Sequence, residues 1–343
     1  MVLMMDIENV TSVLNRTFHY PLQAKIWGAS ISIFVAIFGT FGNVIAIMAI
    51  VKFPKLRTKP NLMVLHLSLT DLILSVICMP IMAANDLIDD GIFKDSESTY
   101  CQYYMPFQFS MQGTNMCSLV IMTINRYMKI VWTNHYPRMF TNYTVITLIV
   151  TAWLFPLICL LPATIKIWGK FGFVERKNIC TILSGDGYTT FLFLVSFVIP
   201  FISLIVCYTH IFITVHRQQN VIKSHRKHST TPRRVSRISQ CIPNNLCTME
   251  LQLTKMMLVI FLEYTILNLP ITLITILDKN VTYPVLNRIA AGLSWMNASF
   301  NFVVYAIMNS QFRQAYGELF GISSATTNSI PGSRTDNTNR RQS

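Results

Sequence analysis

The chain has 343 residues, of which 52% are apolar and only 13% charged, and its mean hydropathy is +0.44. Soluble domains carry about 25% charged residues, so the composition excludes an ordinary soluble protein and requires lipid. The 28 Lys and Arg against 15 Asp and Glu give a net charge of +13, which membrane topology and anionic lipid explain without any binding to nucleic acid.

Residues 1–26 lack the apolar core of a signal peptide and read as an outer N-terminal segment. Asn9 and Asn15 sit there in Asn-x-Ser/Thr sequons as candidate glycosylation sites. Seven apolar blocks follow, at 26–51, 62–84, 100–132, 144–165, 188–216, 251–277 and 284–308. Each reaches the ~20 residues that cross a ~30 Å hydrocarbon core as a helix. The first block is expected to act as an uncleaved signal-anchor. Together the blocks leave no room for a soluble catalytic domain, so the predicted fold is an all-α membrane protein, a bundle of seven transmembrane helices over residues 27–320. The stretch 218–246 is basic and rich in Ser, Thr and Pro, with little to bury. After the last block, residues 310–320 place Phe312, Tyr316, Leu319 and Phe320 on one stripe. That spacing predicts a short amphipathic eighth helix, lying on the membrane surface or facing a core. Residues 321–343 read as a disordered cytoplasmic tail.

Sidedness follows from counting charge. The N-terminal segment with 85–99, 166–187 and 278–288 holds 9 Lys and Arg against 10 Asp and Glu. Residues 52–60, 126–143, 217–255 and 309–343 hold 19 against 3. Cytoplasmic loops carry the basic excess, which puts the N-terminus outside and the C-terminus in the cytoplasm. Eight cysteines then sort by compartment. Cys78, Cys117, Cys159 and Cys207 lie in spans, and Cys241 and Cys247 are cytoplasmic. Cys101 and Cys180 alone face the oxidising side, and a disulfide between them is the expected state.

These landmarks are carried by recognisable local sequences. They are Gly42-Asn43-Val44 in span one, Asp71 within LHLSLTDL and Pro80 in span two, Cys101 opening span three, and Asn125-Arg126-Tyr127 closing it. Trp153 follows in span four, Pro200 and Tyr208 in span five, Pro270 in span six, and Asn297, Asn301 and Tyr305 in span seven. In that order they resemble the rhodopsin-like (class A) G-protein-coupled receptors from about Trp27 to Phe320. Asn125 in place of Asp and the outer-loop stretch IWGKFGFVERKNICTIL resemble most the trapped-in-endoderm and moody receptors, with medium-chain fatty acid and melatonin receptors nearby. Two departures stand out. Span six has Asn268 where the family has Trp, and span seven has Phe302 where the family has Pro.

The resemblance implies roles for particular residues. Arg126, flanked by Asn125 and Tyr127, would be restrained by a carboxylate at the base of span six, for which Glu250 has the charge. Release, with Tyr208 and Tyr305, would admit a heterotrimeric G protein. The plain alternative is an Arg126 that reaches lipid phosphate beside a solvated Glu250. Asp71, with Asn115, Asn268, Asn297 and Asn301, forms a polar core suited to Na⁺, since a hard cation takes oxygen ligands; the alternative is a protonated, purely structural Asp. Glu263 either joins this network or is itself protonated. No other metal and no organic cofactor is expected.

The extracellular ligand is constrained mainly by exclusion. Gln108 occupies the position where amine receptors hold an Asp, and span seven has no Lys for retinal. Gln108, Phe109, Gln112, Ser196, Thr272, Thr275 and Trp295 make a neutral, partly apolar candidate lining for a lipid-like, small neutral or peptide ligand. Arg176, Lys177 and Arg288 stand at the mouth, where they meet a ligand acid or are merely solvated. Ser236, after Arg233-Arg234-Val235, is a candidate phosphorylation site, and receptor kinases and arrestin are expected partners at the loop and tail.

The rival reading, a transporter or channel, calls for inverted repeats and more intramembrane charge. No repeat is present, and Asp71 and Glu263 are the two carboxylates deep in the spans. Signatures such as G-x-S-x-G and H-E-x-x-H are also missing from the sequence, so the chain is not expected to be an enzyme.

Overall fold

A computed structural model describes residues 20–88, 92, 99–183, 187–228, 244–278 and 281–322; of 99, 218, 219, 221–228 and 244–250 it describes the chain path alone. Asn9, Asn15, Ser236 and the tail therefore lie outside the described residues, as does the Glu250 side chain.

In hydrocarbon every backbone N–H and C=O must be satisfied within its own segment, which leaves the helix as the spanning form for such a chain. Among the described residues there are seven long helices: α1 (Leu22–Lys52), α2 (Lys59–Leu87), α3 (Thr99–Val131), α4 (Asn142–Thr164), α5 (Tyr188–His228), α6 (Asn244–Leu277) and α7 (Pro284–Met308). A short α8 (Ser310–Leu319) follows directly. Single π turns interrupt α1 at Val35–Gly39, α2 at Leu74–Cys78 and α5 at Leu194–Val198. Helix starts are fixed by side-chain caps: Thr58 accepts from the Asn61 N–H, Thr141 from the Thr144 N–H, and Asn309 from the Gln311 N–H.

The helices divide by polarity. Five of them, α1, α2, α4, α5 and α6, are long and apolar enough to cross a membrane by length and composition. α3 and α7 fall short of that apolarity because their polar residues face inward. Gln108, Ser110, Thr114, Asn115, Ser118, Thr123, Asn125 and Arg126 are buried along α3, and Asn287, Arg288, Asn297, Ser299 and Asn301 along α7. The other helices turn Leu, Ile, Val and Phe outward. Polarity inside and apolar side chains outside is the arrangement a bundle adopts when its solvent is lipid.

On the outer side a hairpin lies over the bundle, β1 (Lys170–Val174) paired antiparallel with β2 (Ile179–Leu183). Asn178 closes its turn in the left-handed region, at φ 52°, a conformation Asn tolerates. Cys180 of β2 is bonded to Cys101 of α3, the pairing expected from the sequence. On the inner side the α8 stripe is divided. Phe312, Ala315 and Tyr316 are buried against the bundle, while Phe320 remains 54% exposed, so the core-facing alternative holds for half of the stripe.

Candidate functional site

Between the hairpin and the middle of the bundle lies a cavity of about 810 Å³. Gln108, Phe109, Gln112, Ser196, Thr272, Thr275 and Trp295 all line it, so seven of the eight sequence-predicted pocket residues are brought together. Arg176 is the exception: it is exposed on the hairpin turn and takes no part in the lining. Its neighbour Lys177 does, because the turn directs one of the two adjacent cations inward. Lys177 is the one charged side chain lining the cavity among the described residues. Burial pushes its ammonium below the usual lysine range, opposed by the charge of Asp278. Asp278 is in turn held below the usual carboxylate range by the backbone N–H groups of Thr282 and Tyr283. Two polar atoms of the wall, Gln108 Oε1 and Asn287 Nδ2, are buried without a hydrogen-bond partner among the described residues.

The floor of the cavity is the polar core. Asp71 on α2 is fully buried; Asn115 Nδ2 of α3 donates to its Oδ1 at 2.7 Å, and Asn301 Nδ2 of α7 to its Oδ2 at 2.8 Å. Asn115 and Asn297 also line the cavity, so the cavity and the carboxylate share a residue. Asn268 lines the cavity as well, but its amide is turned to its own helix and donates to the Tyr264 carbonyl at 2.8 Å. It thus belongs to the cavity wall rather than to the hydrogen-bond partners of Asp71. The Oδ1 atoms of Asn115, Asn297 and Asn301, both carboxyl oxygens of Glu263 and the hydroxyls of Ser68, Ser75 and Ser299 are buried without a hydrogen-bond partner among the described residues. Nearby, Asn43 Nδ2 clamps α1 to α7 through the carbonyls of Gly39 and Ala298, at 2.9 and 2.8 Å.

Below the core, Arg126 is 1% exposed at the inner end of α3. Its neighbour Asn125 donates to the Tyr136 hydroxyl at 3.2 Å, which anchors the inner loop. Tyr127 stacks on His210 of α5, with ring centres 6.0 Å apart. The Tyr208 hydroxyl accepts from Thr123 at 3.4 Å, and its ring stacks on Phe261 of α6 at 5.9 Å. Tyr305 is fully buried and packs on Phe312 of α8 at 5.3 Å. Phe302, which stands where the family has proline, fits a niche over Gly42. A Cβ there would run into its ring, and Phe38 packs beside it at 5.2 Å.

At the outer end the bundle buries an ion pair whose members look like loop charges in the sequence. Arg288 is not solvated at the mouth; it is buried in an ion pair with Asp86 of α2. The guanidinium lies 4.8 Å from the centre of the Trp295 ring. Asn178 of the hairpin donates to Asp86 at 3.3 Å, and Gly28 leaves room for the pair where a Cβ would clash with both. Tyr20, with its hydroxyl buried, feels the charges of both groups, and burial pushes it up to about 12. In the sequence Asp86 opens an acidic run, Asp86-Leu87-Ile88-Asp89-Asp90, and is indistinguishable there from a solvated loop residue.

Comparison with known proteins agrees with this geometry. The profile of the 7 transmembrane receptor (rhodopsin family) matches residues 42–310. The moody receptor of Drosophila melanogaster is 27% identical over 84% of the chain and 50% of its own length, so the chain spans about half the length of that relative. Protein trapped in endoderm-1 of Drosophila melanogaster is 29% identical over 88% of the chain and 79% of its own length. Human G-protein coupled receptor 84 is 23% identical over 88% and 92% respectively. In fold, the chain is similar to squid rhodopsin, with a TM-score of 0.73 at 19% identity over 90% of this chain and 88% of that one. With the profile spanning most of a seven-helix, multi-pass membrane bundle, the chain belongs to the rhodopsin family of seven-transmembrane receptors.

Proposed function

We propose that this chain is a plasma-membrane receptor that converts binding of an extracellular ligand into activation of a heterotrimeric G protein. The observation that carries this reading is Asn115, which lines the ligand cavity and donates to Asp71. A ligand that repacks the cavity wall therefore acts on a hydrogen-bond network joining α2, α3 and α7, and α3 leads from it to Arg126. Coupling of this kind needs contiguous packed elements with two arrangements. The buried Arg126 and the aromatic contacts of Tyr127, Tyr208 and Tyr305 supply the inner element. The charge count supports an N-terminus outside and a C-terminus in the cytoplasm. In this reading residues 1–26 are extracellular, 27–320 form the receptor and 321–343 form a cytoplasmic tail. Ser236 and that tail are where receptor kinases and arrestin would act.

The polar core fits Na⁺. Its orphaned atoms are carboxyl, amide and hydroxyl oxygens around one buried carboxylate, a set that attracts a hard cation. Asp71 with the amide oxygens of Asn115, Asn297 and Asn301 would hold it, and Glu263 lies within electrostatic reach. The ion would supply charge compensation to Asp71 in the state where the network is closed.

Nucleotide exchange on purified Gα subunits of each class, driven by receptor membranes, tests the reading. Exchange on at least one class, lost in Arg126→Ala at equal receptor content, is the expected result. Exchange that Arg126→Ala leaves unchanged would overturn the assignment of the inner end.

A further inference from the structure

The cavity does not end inside the bundle. Its lining runs across α3 through Cys117, Val120 and Ile121 and onto α4 and α5, where it includes residues that face the hydrocarbon. Phe155 of α4 is 43% exposed and Ile199 of α5 is 57% exposed, and Thr151 is exposed as well. Both helices pack on α3, and the gap between them is bridged near the outer surface, where the Tyr188 hydroxyl donates to the Cys159 carbonyl at 2.7 Å.

Above that bond the bundle is covered. Ile179, Thr181 and Ile182 of β2 roof the cavity, the Cys101–Cys180 bond pins the strand, and Trp168, Tyr188 and Phe191 pack together at its edge with ring centres 5.0 to 6.3 Å apart. Below it, two hydroxyls beside the gap are bonded within their own helices. Thr151 donates to the Thr147 carbonyl and Ser203 to the Ile199 carbonyl, each at 2.8 Å. Neither of these two hydroxyls therefore needs water in the gap, and the Ser196 hydroxyl, exposed on α5, also lines the cavity. Inside, Gln108 Oε1 and Asn287 Nδ2 remain without partners among the described residues. An apolar passage leading from the bilayer to buried polar atoms fits a molecule with a hydrocarbon chain and a small polar head.

We propose that the ligand is a single-chain amphiphile resident in the bilayer and that it enters the cavity sideways, between α4 and α5, past Phe155, Thr151 and Ile199. This rests on the receptor reading above and specifies the ligand class and its route. A chain in the bilayer loses little hydrophobic free energy on entry, so affinity comes from the head meeting Gln108, Asn287 and Lys177, and the passage sets access.

The test uses the full chain in phosphatidylcholine vesicles that hold a trace of a long-chain fatty alcohol with a diazirine in its chain. After irradiation, labelled peptides are mapped. The expected label concentrates on 148–160 and 195–203 and on the inner wall at Gln108 and Gln112, above that on Ile33 and Ile37 of α1 or Leu262 and Ile266 of α6. Thr151→Trp with Ser203→Trp loses the inner label and keeps that on α1. Because two Trp substitutions can disturb folding, Phe155→Ala is run beside them and should raise the inner label, with closure of Cys101–Cys180 checked in every variant. Even labelling of all lipid-facing helices, or inner label that persists in the Trp variant, overturns the proposal. Nucleotide exchange on Gα in the same vesicles separates the two readings: inner label without exchange faults the receptor reading, and exchange with even labelling faults the route.

Discussion

Removing the Asp86 carboxylate should destabilise the outer end of the bundle more than any conservative change at the cavity wall. In Asp86→Ala the Arg288 guanidinium stays buried at 1% exposure. Its Nε and Nη1 already have no hydrogen-bond partner among the described residues, so nothing nearby replaces the lost charge. Stranding one member of a buried pair costs about 3–5 kcal/mol. The Trp295 face at 4.8 Å is present with or without the carboxylate, so it does not reduce that loss. The reverse change, Arg288→Met, should cost less, because a carboxyl group can take up a proton and keep the Asn178 hydrogen bond, whereas a guanidinium cannot discharge. Replacing both, Asp86→Leu with Arg288→Met, removes the uncompensated charge and should recover most of the loss. Melting of the purified receptor in detergent reads all three, with the Asp86→Ala loss on the order of 10 °C. A double variant as unstable as the sum of its parts would refute the pair as an energetic unit.

Cys101→Ser and Cys180→Ser should impair surface delivery equally, with the double variant no worse; unequal effects would argue that the bond is not what each thiol contributes. Gly42→Val drives a side chain into the Phe302 ring and should cost about 1–3 kcal/mol as overpacking, with Phe302→Ala in the same chain restoring the melting temperature. A Gly42→Val receptor that melts like the wild type would contradict the niche. Exchanging NaCl for choline chloride should change ligand-free nucleotide exchange in the wild type and leave Asp71→Asn unaffected; equal responses would remove the ion from the account.

Much of the bundle was legible because lipid makes one demand on every span. The apolar blocks placed all seven helices, and the two lone outer thiols placed the bond that pins the hairpin. The first helix starts at Leu22, a few residues ahead of its apolar block, because Lys25 and Gln23 lower the hydropathy without breaking the helix. The π turns at Val35–Gly39, Leu74–Cys78 and Leu194–Val198 left no mark, since they contain no proline and no change of polarity. The pocket residues were legible through family position, which fixes a residue's depth and face. Arg176 and Lys177 were not separable, since which of two adjacent cations turns inward depends on a left-handed Asn178. Asp86 and Arg288 were hidden for a related reason. Each looks like a loop charge until the fold brings α2 and α7 together over Gly28.

In the proposed function the cavity, the Asp71 network and Arg126 together form a receptor that drives G proteins. The most direct measurement is ligand-free G-protein activation in cells at matched surface expression, across the Gα classes, for wild type, Arg126→Ala and Glu250→Ala. The expected result is a signal in at least one class that rises in Glu250→Ala and disappears in Arg126→Ala. A signal that neither substitution alters would contradict it.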